Sequence, residues 1–222
     1  MTRTPARVWH EMARGNERFV AGEPLHPRQD VERREQLAAA QEPIAALFGC
    51  SDSRLAAEII FDKGLGDLFV VRNAGQVISD SVVGSLEYAV DVLHVPLIVV
   101  LGHDQCGAVR AAIDSAKPDA APLPPHIAEL IAPIAPAVQR VIAAEKRGAA
   151  AHEHIPGDDH SPDIIAEVVR EHLRDTVAEL LERSELISLA VAAGTLAVVG
   201  ANYRLLEGRV VPDVMIGELA TS

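Results

Sequence analysis

The chain is short of cysteine, short of basic residues relative to its acids, and without a long hydrophobic run. Each shortage narrows what it can be. Only two cysteines, Cys50 and Cys106, occur in 222 residues. A disulfide between them is formally possible. With no export signal in view, metal ligation or a reactive thiol in a reducing compartment is the better reading. Lysine and arginine total 20 against 32 acidic residues, a formal net charge of −12. Such a surface repels phosphate backbones and argues against nucleic acid as a partner, while leaving a small diffusing substrate open. Apolar stretches such as 96–101 are strand-sized, well short of a membrane span. The first twenty residues carry scattered charge and no apolar signal region, so the expectation is a cytoplasmic protein with no membrane contact.

What is present fits one α/β domain over 1–222, with 49% hydrophobic residues and room for a substantial core. Thr4 and Pro5 read as cap and first turn of an amphipathic helix to about Val20, and Asp30 as the cap of a second helix. Residues 1–42 hold no core strand, and these helices are expected to form an arm that packs on a partner subunit. From Pro43 onward, short apolar runs alternate with helical segments: strands over 44–49, 67–72, 96–102 and 196–203, with helices over 55–61 and 79–92 between them. That alternation signals a parallel sheet covered on both faces. Four prolines between Pro118 and Pro125 mark a loop. Residues 127–147 have helical spacing that Pro133 and Pro136 must kink or shorten. A further amphipathic helix runs through Ile165, Leu173 and Leu181.

Two clusters carry chemistry. Gly49-Cys50-Ser51-Asp52-Ser53-Arg54 follows the first strand, and Gly102-His103-Asp104-Gln105-Cys106-Gly107 follows the third. Both sit at carboxyl ends of expected parallel strands, where open α/β sheets build their sites. Two thiolates, an imidazole and a carboxylate are the donor types zinc prefers, in a tetrahedral set of four. Cys50, His103 and Cys106 supply three ligands; Asp52 or a water is left as the fourth. Two thiolates cancel most of the metal's charge, which gives Asp52 a second use as the group that orients a metal-bound water. Arg54 can clamp Asp52 in that outer position.

Cys50-Ser51-Asp52-Ser53-Arg54 with His103-x-x-Cys106 resembles the zinc signature of β-class carbonic anhydrases, and the resemblance is good over about 8–113. Gln41, nine residues before Cys50, is similar to a glutamine lining the family's carbon dioxide pocket. Phe69 and Tyr88 match apolar and aromatic positions around that pocket, and Gly107 follows the last ligand. The resemblance implies a parallel sheet of order 2-1-3-4, with an added edge strand, flanked by helices. It implies one Zn²⁺ per subunit, and a zinc-bound hydroxide converting carbon dioxide to bicarbonate and a proton. It also implies a homodimer or homotetramer in which Gln41, Phe69 and Tyr88 act across or beside the interface. Some members carry tryptophan three residues before the first cysteine and bind an inhibitory bicarbonate; here that residue is Leu47, so no such site is implied.

Competing readings are hydrolysis of carbonyl sulfide or carbon disulfide on the same scaffold, and a non-catalytic zinc- or redox-responsive binding protein. The other histidines are scattered and read mostly as solvated or capping. His152, His154 and His160, with Asp158 and Asp159, are a weak candidate for a second metal or a proton shuttle. Asn73-Ala74-Gly75 reads as a turn rather than a phosphate cradle, and Ser51 and Ser53 have no pattern for nucleophilic catalysis.

Overall fold

The computed structural model describes residues 3–151 and 164–219. Helix α1, Pro5–Ala21, starts where the sequence places it, with the Thr4 hydroxyl accepting from the Arg7 amide at 3.4 Å. Gly22 ends it in the left-handed conformation, φ 73°. Val8 and Met12 on its inner face are buried. Asn16 pins it further: its side-chain amide donates to the Ile60 and Gly208 carbonyls at 3.1 and 2.8 Å and accepts from the Val210 amide at 2.9 Å. The first helix of the expected arm is therefore seated on its own chain. Helix α2, Val31–Leu37, is capped by Asp30 and has no buried residue.

The remaining elements, in order, are β1 (Ala45–Cys50), α3 (Ala57–Ile60), β2 (Leu68–Asn73), α4 (Asp80–Asp91), β3 (Leu97–His103), α5 (Gly107–Ser115), α6 (Pro125–Ile131), α7 (Ala135–Ala151), α8 (Ile164–Arg183), α9 (Glu185–Ala192), β4 (Ala197–Arg204) and β5 (Arg209–Ile216). The sheet order is β2-β1-β3-β4-β5. The first four strands are parallel, and β5 adds antiparallel to β4 as the edge. This is the architecture expected from the sequence. Helices α5 and α9 are additions to the elements the sequence predicts, and α5 begins on the second chemical cluster itself.

Burial explains the apolar runs. Every residue of β1 and β3 is buried, so both faces of the central strands need cover. Leu47, Leu97, Val99, Leu101 and Val199 pack with Met12, Phe61, Val109 and Val138. Phe48, Ile98, Val100 and Val198 turn the other way, onto Val82 and Leu86 of α4, Val177 and Leu180 of α8, and Ile187 of α9. Each large side chain so buried contributes about 1.5–3 kcal/mol.

The segment Pro125–Arg147 corrects the expectation of strand-sized apolar runs. It is long and apolar enough, by length and composition, to cross a membrane, at a mean hydropathy of 1.5 with 28% of the window buried. A 3₁₀ turn at Ala132–Ile134, where Pro133 stands, divides it into α6 and α7, as its prolines predict. Ile131, Ile134, Ala137, Val138 and Val141 are buried against the domain. His152, His154 and His160, the weak candidate for a second metal or a proton shuttle, lie outside the described residues.

Candidate metal centre

The chain leaves β1 to form β2 on one side, then returns to form β3 on the other. The carboxyl ends of β1 and β3 therefore flank a topological switch point, the crevice where sheets of this kind place ligands. Gly49 pairs with Leu101 in register. Cys50 thus ends β1 beside His103, which ends β3, and Cys106 follows at the start of α5.

This register brings the three sequence-predicted donors together. The Cys50 and Cys106 sulfurs and a His103 ring nitrogen all lie within 4.8 Å of one another, and all three residues are buried. His103 Nδ1 is 2.8 Å from the Asp104 carbonyl oxygen, which can only accept, so Nδ1 carries the proton. That leaves the Nε2 lone pair free, and Nε2 is buried with no hydrogen-bond partner. A fully buried imidazole with an unmet lone pair facing two sulfurs is the donor set a thiophilic metal such as zinc satisfies. Both cysteines are free of disulfide.

The two sulfurs divide their protons unequally. The Cys106 thiol beside it and the Gly75 amide that donates to its sulfur outweigh its burial and push the Cys50 pKa down to about 4. Cys106, facing that anion and buried, is pushed up. One ligand is thus already disposed toward the thiolate that binds metal.

Asp52 stands beside this trio rather than among it. Its carboxylate accepts from the Arg54 amide, Nε and Nη2 at 2.9, 2.9 and 2.7 Å. The Arg54 guanidinium, with help from the Arg54 amide, holds the carboxyl well below the usual carboxylate range despite its partial burial. Its Oδ2 is 4.0 Å from His103 Nε2. Arg72, at the end of β2, fixes the loop from the other side by donating to the Cys50 and Asp52 carbonyls at 2.9 and 2.6 Å.

A sequence profile described as carbonic anhydrase matches residues 45–210. The chain belongs to the β-carbonic anhydrase family. It is a carbonic anhydrase enzyme, and it is 46% identical over 215 residues to carbonic anhydrase 2 of Mycobacterium tuberculosis, covering 97% of this chain and 96% of that one. Identity to the carbonic anhydrase of Mycolicibacterium smegmatis is 45% over 215 residues, with the same coverage. Among solved structures, a tetrameric β-carbonic anhydrase of Sordaria macrospora superposes with a TM-score of 0.67 at 22% identity, covering 94% of this chain and 98% of that one. The Coccomyxa β-carbonic anhydrase gives 0.60 at 24% identity, with coverage of 97% and 89%.

In this carbonic anhydrase, Cys50, Asp52, Arg54, His103, Cys106 and Gly107 gather at one place. Gly107, next to Cys106, has nothing within 4 Å of where a Cβ would be. The other expected substrate residues lie elsewhere in the same chain. Phe69 pairs with Ala46 in the sheet, four residues from the level of Cys50, or about 13 Å along the strand. Its ring packs on half-exposed Tyr88 of α4, with centroids 6.1 Å apart. Gln41 is exposed in the segment leading into β1, at the opposite end of the strand from Cys50.

Besides Arg72, two contributors escaped the sequence reading. The turn after β2 is structural, as expected, yet its Gly75 amide donates to Cys50 Sγ at 3.3 Å. His172 of α8, expected to be solvated or capping, is buried and bonded to the same glycine.

Proposed function

We propose that the chain catalyses the zinc-dependent, reversible hydration of carbon dioxide to bicarbonate and a proton, with one Zn²⁺ per subunit held by Cys50, His103 and Cys106. The observation that carries this reading is the buried, unpartnered Nε2 of His103 facing two sulfurs at the switch point. The metal's contribution is Lewis acidity, which makes a water acidic enough to act as nucleophile near neutral pH. Three protein donors with Asp52 alongside match the open pattern of a catalytic site rather than the closed pattern of a structural one.

The chain's own residues then orient the reactants. Asp52, kept ionised and fixed by Arg54, accepts a hydrogen bond from the attacking water and aims its lone pair. Arg54 is the positioning group, because it spends its donors on Asp52 and, at 3.4 Å, on the Gln105 carbonyl. Gly107 leaves room for the carbon dioxide to approach. Gln41, Phe69 and Tyr88 belong to the pocket of a neighbouring subunit, since their own chain holds them away from its donors. This makes a homodimer or homotetramer the functional unit, with exposed α2 and the Phe69–Tyr88 surface at the contact. Two free cysteines suit a cytoplasmic setting.

Metal analysis tests the assignment: purified protein should carry one zinc per chain and hydrate carbon dioxide, and Cys50→Ser should lose both. Stoichiometric zinc without hydration would refute the reading and redirect it to carbonyl sulfide.

A further inference from the structure

We propose that His172 is a positioning residue for the metal centre: from α8 it fixes the Gly75 turn whose amide holds the Cys50 sulfur. The inference rests on the metal-centre reading above and extends it to α8, where His172 lies 97 residues from Gly75 in sequence.

His172 Nε2 lies 2.7 Å from the Gly75 carbonyl oxygen. A carbonyl only accepts, so Nε2 carries the ring proton and donates it. Burial pushes the imidazole pKa down, which keeps the ring neutral and this tautomer available. One turn later on α8, the Thr176 hydroxyl bonds the His172 carbonyl at 2.8 Å and stands 3.4 Å from the Gln76 carbonyl. Helix α8 therefore touches two successive carbonyls of the turn after β2.

That turn needs holding. Gly75 and Gln76 are both left-handed, with φ 82° and 42°. For glutamine this conformation is strained, and it persists only where the surroundings fix it. Gly75 cannot be replaced to relieve the turn, because a Cβ there would lie 2.8 Å from the Ala108 Cβ. The glycine is thus gripped at both ends, its carbonyl by His172 and its N–H by Cys50 Sγ at 3.3 Å. An N–H bond to a thiolate draws charge from the sulfur and fixes its direction, as partners behind metal ligands do.

The other ring nitrogen supports this role. His172 Nδ1 is buried with no hydrogen-bond partner. An apolar side chain would fill the same space without burying an unmet nitrogen. What the histidine adds over such a side chain is the Nε2 bond to Gly75.

Cobalt-substituted protein and chelator competition test the proposal, because the sulfur-to-cobalt charge-transfer band reports on the Cys50 bond without any turnover. In His172→Leu the band should move to lower energy, and zinc affinity should fall by about 10- to 100-fold. His172→Gln, whose side-chain amide can donate to the same carbonyl, should restore both. A folded His172→Leu with the wild-type band and affinity would overturn the proposal, as would failure of His172→Gln to rescue. If His172→Leu does not fold, ¹⁵N NMR of the wild-type ring decides: a proton on Nε2 supports the proposal, and a proton on Nδ1 overturns it. Absent carbon dioxide hydration would count against the catalytic reading alone, since none of these signals depends on catalysis.

Discussion

Arg54 closes on Asp52 through three hydrogen bonds, and the carboxylate it captures stands 4.0 Å from the free Nε2 of His103. The pair is local, two residues apart on one loop, and it sets a carboxylate beside the donors without making it one of them. Arg54→Gln should leave the bound zinc in place and lower kcat by about 10- to 100-fold, the usual cost of removing an orienting partner. Zinc content by metal analysis, paired with turnover, checks this. Loss of metal in that variant would assign Arg54 a structural role instead.

The N-terminal helix should matter for stability as well as assembly. Asn16 satisfies three backbone groups on two other segments of its own chain. Asn16→Ala should destabilise the fold by about 1–3 kcal/mol by leaving buried polar groups unmet. Urea unfolding at fixed protein concentration measures it. An unchanged midpoint would mean that α1 is not anchored in this way.

Acid should weaken the metal-free protein through His172. Burial lowers its pKa in the folded state, so near pH ~6.5 the unfolded chain binds more protons than the folded one. The neutral ring's contribution is fully present above the unfolded value and is lost as pH falls through it. Unfolding midpoints should therefore drop between about pH 7.5 and about pH 5.5, and the drop should be shallower in His172→Gln. Equal slopes in the two proteins would contradict the assignment.

Much of this architecture was legible in the sequence because central parallel strands are apolar on both faces. β1 and β3 announce themselves as unbroken apolar runs, and the ligands sit where those runs end. His172 was hidden for a physical reason: its partner, Gly75, is brought to it only by tertiary packing. A local signal did exist. His172 and Thr176 fall at helical spacing with Val168, Val169, Leu173 and Val177, on the face that turned out buried. For the arm, an apolar helix face shows that it must be covered, not by which chain. Val8 and Met12 are covered by their own.

Gln41 gives a test of assembly. If it serves a partner's site, co-expressed Gln41→Ala and Asp52→Asn subunits should recover activity that neither variant has alone. In a mixed dimer one pocket then carries both defects and the other carries none. If Gln41 acts within its own chain, every pocket is defective and co-expression recovers nothing. Activity of the purified mixed oligomer distinguishes the two.

The most direct test of the central claim is stopped-flow carbon dioxide hydration by zinc-loaded wild type and Asp52→Asn, from about pH 6.5 to about pH 9 to bracket the titration of a zinc-bound water. The account predicts fast wild-type turnover that rises with pH, and loss of most of it in Asp52→Asn at unchanged zinc content. Hydration no faster than buffer in the wild type, or full activity in Asp52→Asn, would contradict it.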